Sequence, residues 1–128
     1  MVIFLYDPKG KRSMHELGIV FHALDRVEKL AEENELTKIA SVTMEFGEVS
    51  GVVTQEMVRC WNWAVKKRPP VLQEAELKIE EIPAVTFCED CRKEYPTLQY
   101  GKICPYCQSP NTYLVQGNEI NIKELEAY

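Results

Sequence analysis

Between His15 and about Asn34, Leu17, Val20, Leu24, Val27 and Leu30 or Ala31 recur at three- and four-residue steps. Asp25, Arg26, Glu28, Lys29 and Glu32 stand between them. The spacing predicts an amphipathic helix of about five turns. Ser13, with Glu16 three residues later, fits a capping box, so Glu16 has a ready structural use as a helix-start carboxylate. From Ser41 the period changes to two: Val42, Met44 and Phe46 share one side, Thr43 and Glu45 the other, until "GEVSG" breaks the run. This predicts a half-buried strand.

Thr54 then offers an N-cap, with Gln55 and Glu56 in an acid-tolerant first turn. Met57, Trp61, Ala64 and Val65 form the apolar stripe of a second helix, closed by Pro69 and Pro70. Lys66, Lys67 and Arg68 in its last turn read as complements to the helix dipole rather than as a basic patch. Leu77 and Ile79 alternate with charged residues in another strand, and Ile120 and Ile122 alternate with Asn121 and Lys123 in a last one. Residues 84–116 differ: little apolar content, turn residues at Pro96, Gly101, Pro105, Pro110 and Asn111, and four of the cysteines. They read as an insertion hung on two strands.

Bulk properties narrow the function. A chain of 128 residues is one domain, or one with a small appendage. Its net charge of −5 gives no general electrostatic reason to bind nucleic acid or an anionic membrane. The opening "MVIFLYDPKGKRS" has its basic residues behind a short apolar start, unlike a signal peptide, and no run has the length of a membrane span. Five cysteines, four of them in two close pairs, suit thiolate metal binding in a reducing compartment better than a disulfide framework. The expected location is cytoplasmic.

Cys88 and Cys91 form one C-x2-C and Cys104 and Cys107 another, twelve residues apart. Two residues between thiolates let one tight turn present both sulfurs to an ion, and the intervening hairpin folds the second turn opposite, closing a tetrahedron. This is a zinc-ribbon pattern, and four sulfurs leave no open position for substrate, which makes the expected site structural. A redox dithiol is normally single and sits at a helix start; these pairs are duplicated among turn residues. Glycine is favoured after each pair, where positive φ helps, yet Arg92 and Gln108 stand there and should adopt the turn at modest cost. Within 84–116 three basic and three acidic residues balance to zero, so Tyr95, Tyr100, Tyr106 and Tyr113 are expected to pack the hairpins rather than stack on bases. Cys60, in the second helix, reads as a small buried hydrophobe.

The fold class expected is therefore α+β: a three-stranded sheet packed with two helices, carrying an inserted zinc-ribbon subdomain at 84–116. The α/β part comprises 14–83 plus 117–128, preceded by an extension at 1–13.

In order, "MHELG", "VTMEFGEVSG", "LKIEEIP" leading into C-x2-C-x12-C-x2-C, and "GNEINIKELE" resemble the HypA family of nickel-insertion accessory proteins for [NiFe]-hydrogenase. The likeness covers Met14 to the C-terminus. It implies a metallochaperone, not an enzyme, with structural Zn(2+) on Cys88, Cys91, Cys104 and Cys107 and Ni(2+) as transferred cargo on Met14, His15 and Glu16. It further implies hand-over with a HypB-type GTPase to the hydrogenase large subunit, service to urease in some members, and a homodimer as a candidate assembly. Ni(II) favours square-planar nitrogen and oxygen donors, which a terminal amine, an amide nitrogen and an imidazole supply in one chelate. Thirteen residues precede Met14, so translation from Met14, or trimming of residues 1–13 before loading, is expected. His22 reads as an ordinary surface or boundary histidine. The competing reading is a zinc-ribbon interaction module that binds protein or nucleic acid without handling nickel; no triad, phosphate loop or open zinc site favours an enzyme.

Overall fold

The computed structural model describes residues 1–4 and 16–128. Among the described residues ten elements follow one another: β1 (Val2–Phe4), α1 (Glu16–Glu33), β2 (Ile39–Gly47), α2 (Thr54–Val65), β3 (Glu76–Ile82), β4 (Val85–Cys88), β5 (Glu94–Pro96), the single turn α3 (Thr97–Tyr100), β6 (Thr112–Gln116) and β7 (Ile120–Ala127). They make two sheets, one ordered β1-β7-β2-β3 and the other β5-β4-β6.

The larger sheet carries the main core. β2 and β3 run parallel, a pairing that needs a crossover, and α2 supplies it; β7 is antiparallel to β2 on the other side. The periodic residues meet as expected: Val20, Leu24, Val27 and Ala31 of α1, Met57, Trp61, Ala64 and Val65 of α2, and Val42, Met44 and Phe46 of β2 share one buried cluster with Ile122 and Leu125. Trp61 is fully buried and donates its indole N–H to the carbonyl of Ala75 at 2.9 Å, so its polar edge is satisfied inside the core. α1 stops where Glu35 takes φ of 52° and the Leu36 N–H reaches back to the Ala31 carbonyl at 2.9 Å, a Schellman closure made without glycine.

Four details depart from the sequence reading. The sheet has four strands, not three, because Val2–Phe4 pairs antiparallel with β7, Ile3 opposite Leu125. Ile3 packs on the core, so part of the extension belongs to the fold. β2 is not half-buried: Ser41 and Thr43 are also buried, since β2 is central and charged side chains of the flanking strands cover its outer face. The cap of α2 is Val53, not Thr54, and no side chain of its own caps it. Arg68 spans to α1, donating to Asp25 at 2.7 Å and Glu28 at 3.3 Å, so this cation ties two elements together rather than answering a dipole, while the Lys67 ammonium lies over the Trp63 ring of the helix it follows.

The second sheet hangs from the first at a close crossing. A Cβ on Gly47 would lie 2.0 Å from the Gly117 carbonyl oxygen, and Gly117 itself has φ of 121°. Only glycine fits either position. Glu48 locks the crossing: one carboxylate oxygen accepts the Ala84 N–H at 2.8 Å, and the Val49 N–H donates to Gly117 at 2.7 Å.

Candidate metal centre

The two cysteine pairs fold into the same local structure twice. In the first, the Cys88 N–H donates to the Lys93 carbonyl at 2.9 Å and the Arg92 N–H returns to Cys88 at 2.8 Å. In the second, the Cys104 N–H donates to Ser109 at 3.0 Å and the Gln108 N–H returns to Cys104 at 2.8 Å. Each turn closes on the residue after its second cysteine, and Arg92 and Gln108 hold φ of 59° and 61° there. The expectation that non-glycine residues would take this conformation is met.

Those turns face each other. The Sγ atoms of Cys88 and Cys107 are 3.5 Å apart, those of Cys91 and Cys104 3.6 Å, and all four lie within 4.8 Å of one another. With Zn–S bonds of about 2.3 Å, a tetrahedron separates its sulfurs by about 3.8 Å, so the cluster fits a structural zinc site with little adjustment. All five cysteines are free thiols, which removes the disulfide alternative from this structure. Cys88 and Cys104 are fully buried, Cys91 is half-buried and Cys107 exposed.

The thiols do not ionise alike. Burial raises Cys104, but N–H groups of Cys107 and Tyr106 point at its sulfur and outweigh that, bringing it down to about 7. At Cys107 the Ser109 N–H lowers the value, yet burial and the neighbouring thiols prevail and push it up to about 12. A divalent ion is the natural means of holding four such sulfurs together as thiolates. The surroundings supply little else: the ribbon's own buried cluster is Cys88, Tyr95 and Cys104, with Cys91 against it. Tyr95 is buried, donates its hydroxyl to Gly101 at 2.9 Å and meets Tyr100 edge-on. Tyr106 lies under the Lys93 ammonium and Tyr113 against Phe87, both about half exposed. Cys60 is only half-buried, at the edge of the main core.

Met14 and His15 lie outside the described residues. Glu16 is the first residue of α1, and its carboxylate accepts the N–H of Val53, the N-cap residue of α2, at 3.3 Å. His22 is exposed on α1. Sequence reasoning missed Glu48, whose role depends on Ala84, a partner 36 residues away, and has no local signature.

A sequence model described as "Hydrogenase/urease nickel incorporation, metallochaperone, hypA" matches residues 14–127. The chain belongs to the HypA family. It is 34% identical to the hydrogenase maturation factor HypA of Geobacter metallireducens over 88% of this chain and 98% of that one. It is 31% identical to the maturation factor HybF of Klebsiella pneumoniae over the same shares of each. The solution structure of the Ni metallochaperone HypA from Helicobacter pylori superposes with a TM-score of 0.65 at 28% identity, covering 89% of this chain and 97% of that one. Membership makes this a nickel metallochaperone of hydrogenase maturation, in a family of maturation factors rather than catalysts, with a four-cysteine zinc site. Among the described residues no helix is long and apolar enough to cross a membrane.

Proposed function

We propose that this chain carries Ni(II) to [NiFe]-hydrogenase, holding the ion at Met14, His15 and Glu16 while zinc stays on Cys88, Cys91, Cys104 and Cys107. The observation that carries the division of labour is the closure of the cysteine cluster. Its four sulfurs complete one coordination sphere among themselves, within 4.8 Å, leaving no open position for exchange. Cargo needs a site that is selective and labile, and the family match begins at Met14, so it takes in Met14, His15 and Glu16.

In this reading residues 14–83 and 117–128 form the nickel-handling part and 84–116 the zinc ribbon. A HypB-type GTPase accompanies the transfer to the hydrogenase large subunit in the cytoplasm, urease is a further client, and the working form is a homodimer. A chain starting at Met14 offers its amine as a nickel donor, and one starting at Met1 offers an amide there.

Titration of Ni(II) into the zinc-loaded protein, from Met1 and from Met14, tests the proposal by absorption and metal analysis. The expected result is one nickel per chain with square-planar bands, tighter binding from Met14, and unchanged zinc. Nickel that displaces zinc, or that binds neither form, contradicts it.

A further inference from the structure

A carboxylate stands between the two zinc knuckles. Asp90 lies inside the first, between Cys88 and Cys91, and Ser109 follows the second by two residues. The Ser109 hydroxyl donates to Asp90 Oδ2, and Asn111 Nδ2 donates to Oδ1 at 3.4 Å. The Asn111 N–H in turn donates to Ser109 Oγ at 3.0 Å, and the Glu89 N–H to the Asn111 carbonyl at 3.0 Å. Ser109 is nearly buried and belongs to the second knuckle by its backbone: its carbonyl receives the Cys104 N–H at 3.0 Å, and its own N–H faces the Cys107 sulfur.

The charge balance makes this placement informative. Four thiolates around a divalent cation carry a net charge of −2, so a further carboxylate close by is electrostatically unfavourable unless donors hold it. Asp90 is not one of the clustered metal-ligating groups, and both its oxygens are turned to Ser109 and Asn111. We propose that Asp90 is a positioning residue that braces one zinc knuckle against the other and thereby sets how slowly the ribbon releases its ion. The exposed thiolate, Cys107, is the one an incoming chelator reaches first. Detaching it moves the turn through Gln108 to Ser109, which the Asp90 bond restrains.

The inference rests on zinc occupying these cysteines, so zinc content is measured first. Protein isolated without zinc defeats that assignment; protein with zinc and an unaltered release rate defeats the brace. Zinc-loaded full chain is mixed with excess chromophoric chelator and release is followed in the wild type, Asp90→Ala, Asp90→Asn, Ser109→Ala and the double variant Asp90→Ala/Ser109→Ala. Loss of a charge-assisted hydrogen bond should speed release about tenfold in either alanine variant. Asp90→Asn, whose amide oxygen still accepts the Ser109 hydroxyl but without the charge and without a second acceptor for Asn111, should fall between wild type and Asp90→Ala, and the double variant should release no faster than the faster single one. Wild-type release by Asp90→Ala, equal release by Asp90→Asn and Asp90→Ala, or multiplied effects in the double variant would each overturn the proposal. Should Asp90→Ala fail to take up zinc, Ser109→Ala decides alone, since it removes only the hydroxyl; wild-type release there is the contrary result.

Discussion

The Glu16 carboxylate accepts the backbone N–H of Val53 at 3.3 Å, joining the start of α1 to the start of α2 across 37 residues of chain. The carboxylate thus serves α2, next to the positive end of its dipole, and the proposed nickel donation is its second use. Substitution separates the two uses. Glu16→Gln keeps an acceptor for Val53 and should leave thermal stability unchanged while weakening nickel binding about tenfold, because an amide oxygen is a poorer metal donor than a carboxylate. Glu16→Ala should weaken nickel binding as much and also cost about 0.5–1 kcal/mol of stability. Undiminished nickel affinity in Glu16→Gln would confine Glu16 to supporting the helices.

Zinc removal should divide the molecule energetically. The ribbon's own buried cluster holds three residues, two of them ligands, whereas the main core draws on α1, α2 and the four-stranded sheet. Zinc contributes about 10–16 kcal/mol to the folding of comparable peptides, far more than three side chains bury. Chelation should abolish amide-exchange protection in β4, β5 and β6 and leave that of β2 and β7 in place. Persistent protection in β4 without metal would contradict this.

The knuckle turns leave room for stabilisation. Gln108 holds φ of 61° on an exposed turn, a conformation that costs a non-glycine residue about 1–2 kcal/mol. Gln108→Gly should recover part of that, up to about 1 kcal/mol after the added freedom of the unfolded chain, and Gln108→Val should destabilise. Melting of the zinc-loaded variants checks the order.

On the outer face of the sheet, Glu126 accepts hydrogen bonds from Lys78 and from the Ser41 hydroxyl, each at 3.0 Å. The Lys78 hydrogen bond, then that of Ser41 and the Lys78 charge, hold the Glu126 carboxyl below its ordinary 4.5, and the same pair raises Lys78 above 10.5. A depressed carboxyl favours the folded state above its ordinary value, and the benefit disappears as pH falls through the depressed one. The raised lysine works the other way, its benefit present below its ordinary value and lost as pH rises through the raised one. Glu126→Gln should therefore unfold at lower urea than the wild type at pH 7 and match it once the medium is acidic enough to protonate Glu126. The gap should shrink in high salt, since both groups are exposed. A gap that survives in acid would point to packing instead.

Legibility in the sequence followed range. The stripe from Val20 to Ala31 and the alternation of Val42, Met44 and Phe46 are local periodicities, and both landed in the core. The cysteine spacing carried the metal cluster because two tight turns dictate where the sulfurs point. Pairings between distant residues had no such signal. Val2–Phe4 is too short for a periodic pattern, and its partner β7 lies at the other end of the chain. Arg68 looked like a helix-end cation until α1 placed Asp25 and Glu28 beside it. Asp90 reads as one more acidic residue until Ser109 is brought across to it by the fold. Met14 and His15 fall outside the described residues, so the nickel assignment rests on family likeness and donor chemistry.

That assignment is open to one direct measurement: nickel and zinc stoichiometry of His15→Ala against wild type, by metal analysis after Ni(II) titration. Two separate sites predict that the variant loses its nickel, keeps one zinc per chain, and gives an unchanged near-ultraviolet signal from Trp61 and Trp63. Nickel bound as in the wild type, or zinc lost together with nickel, would contradict the account.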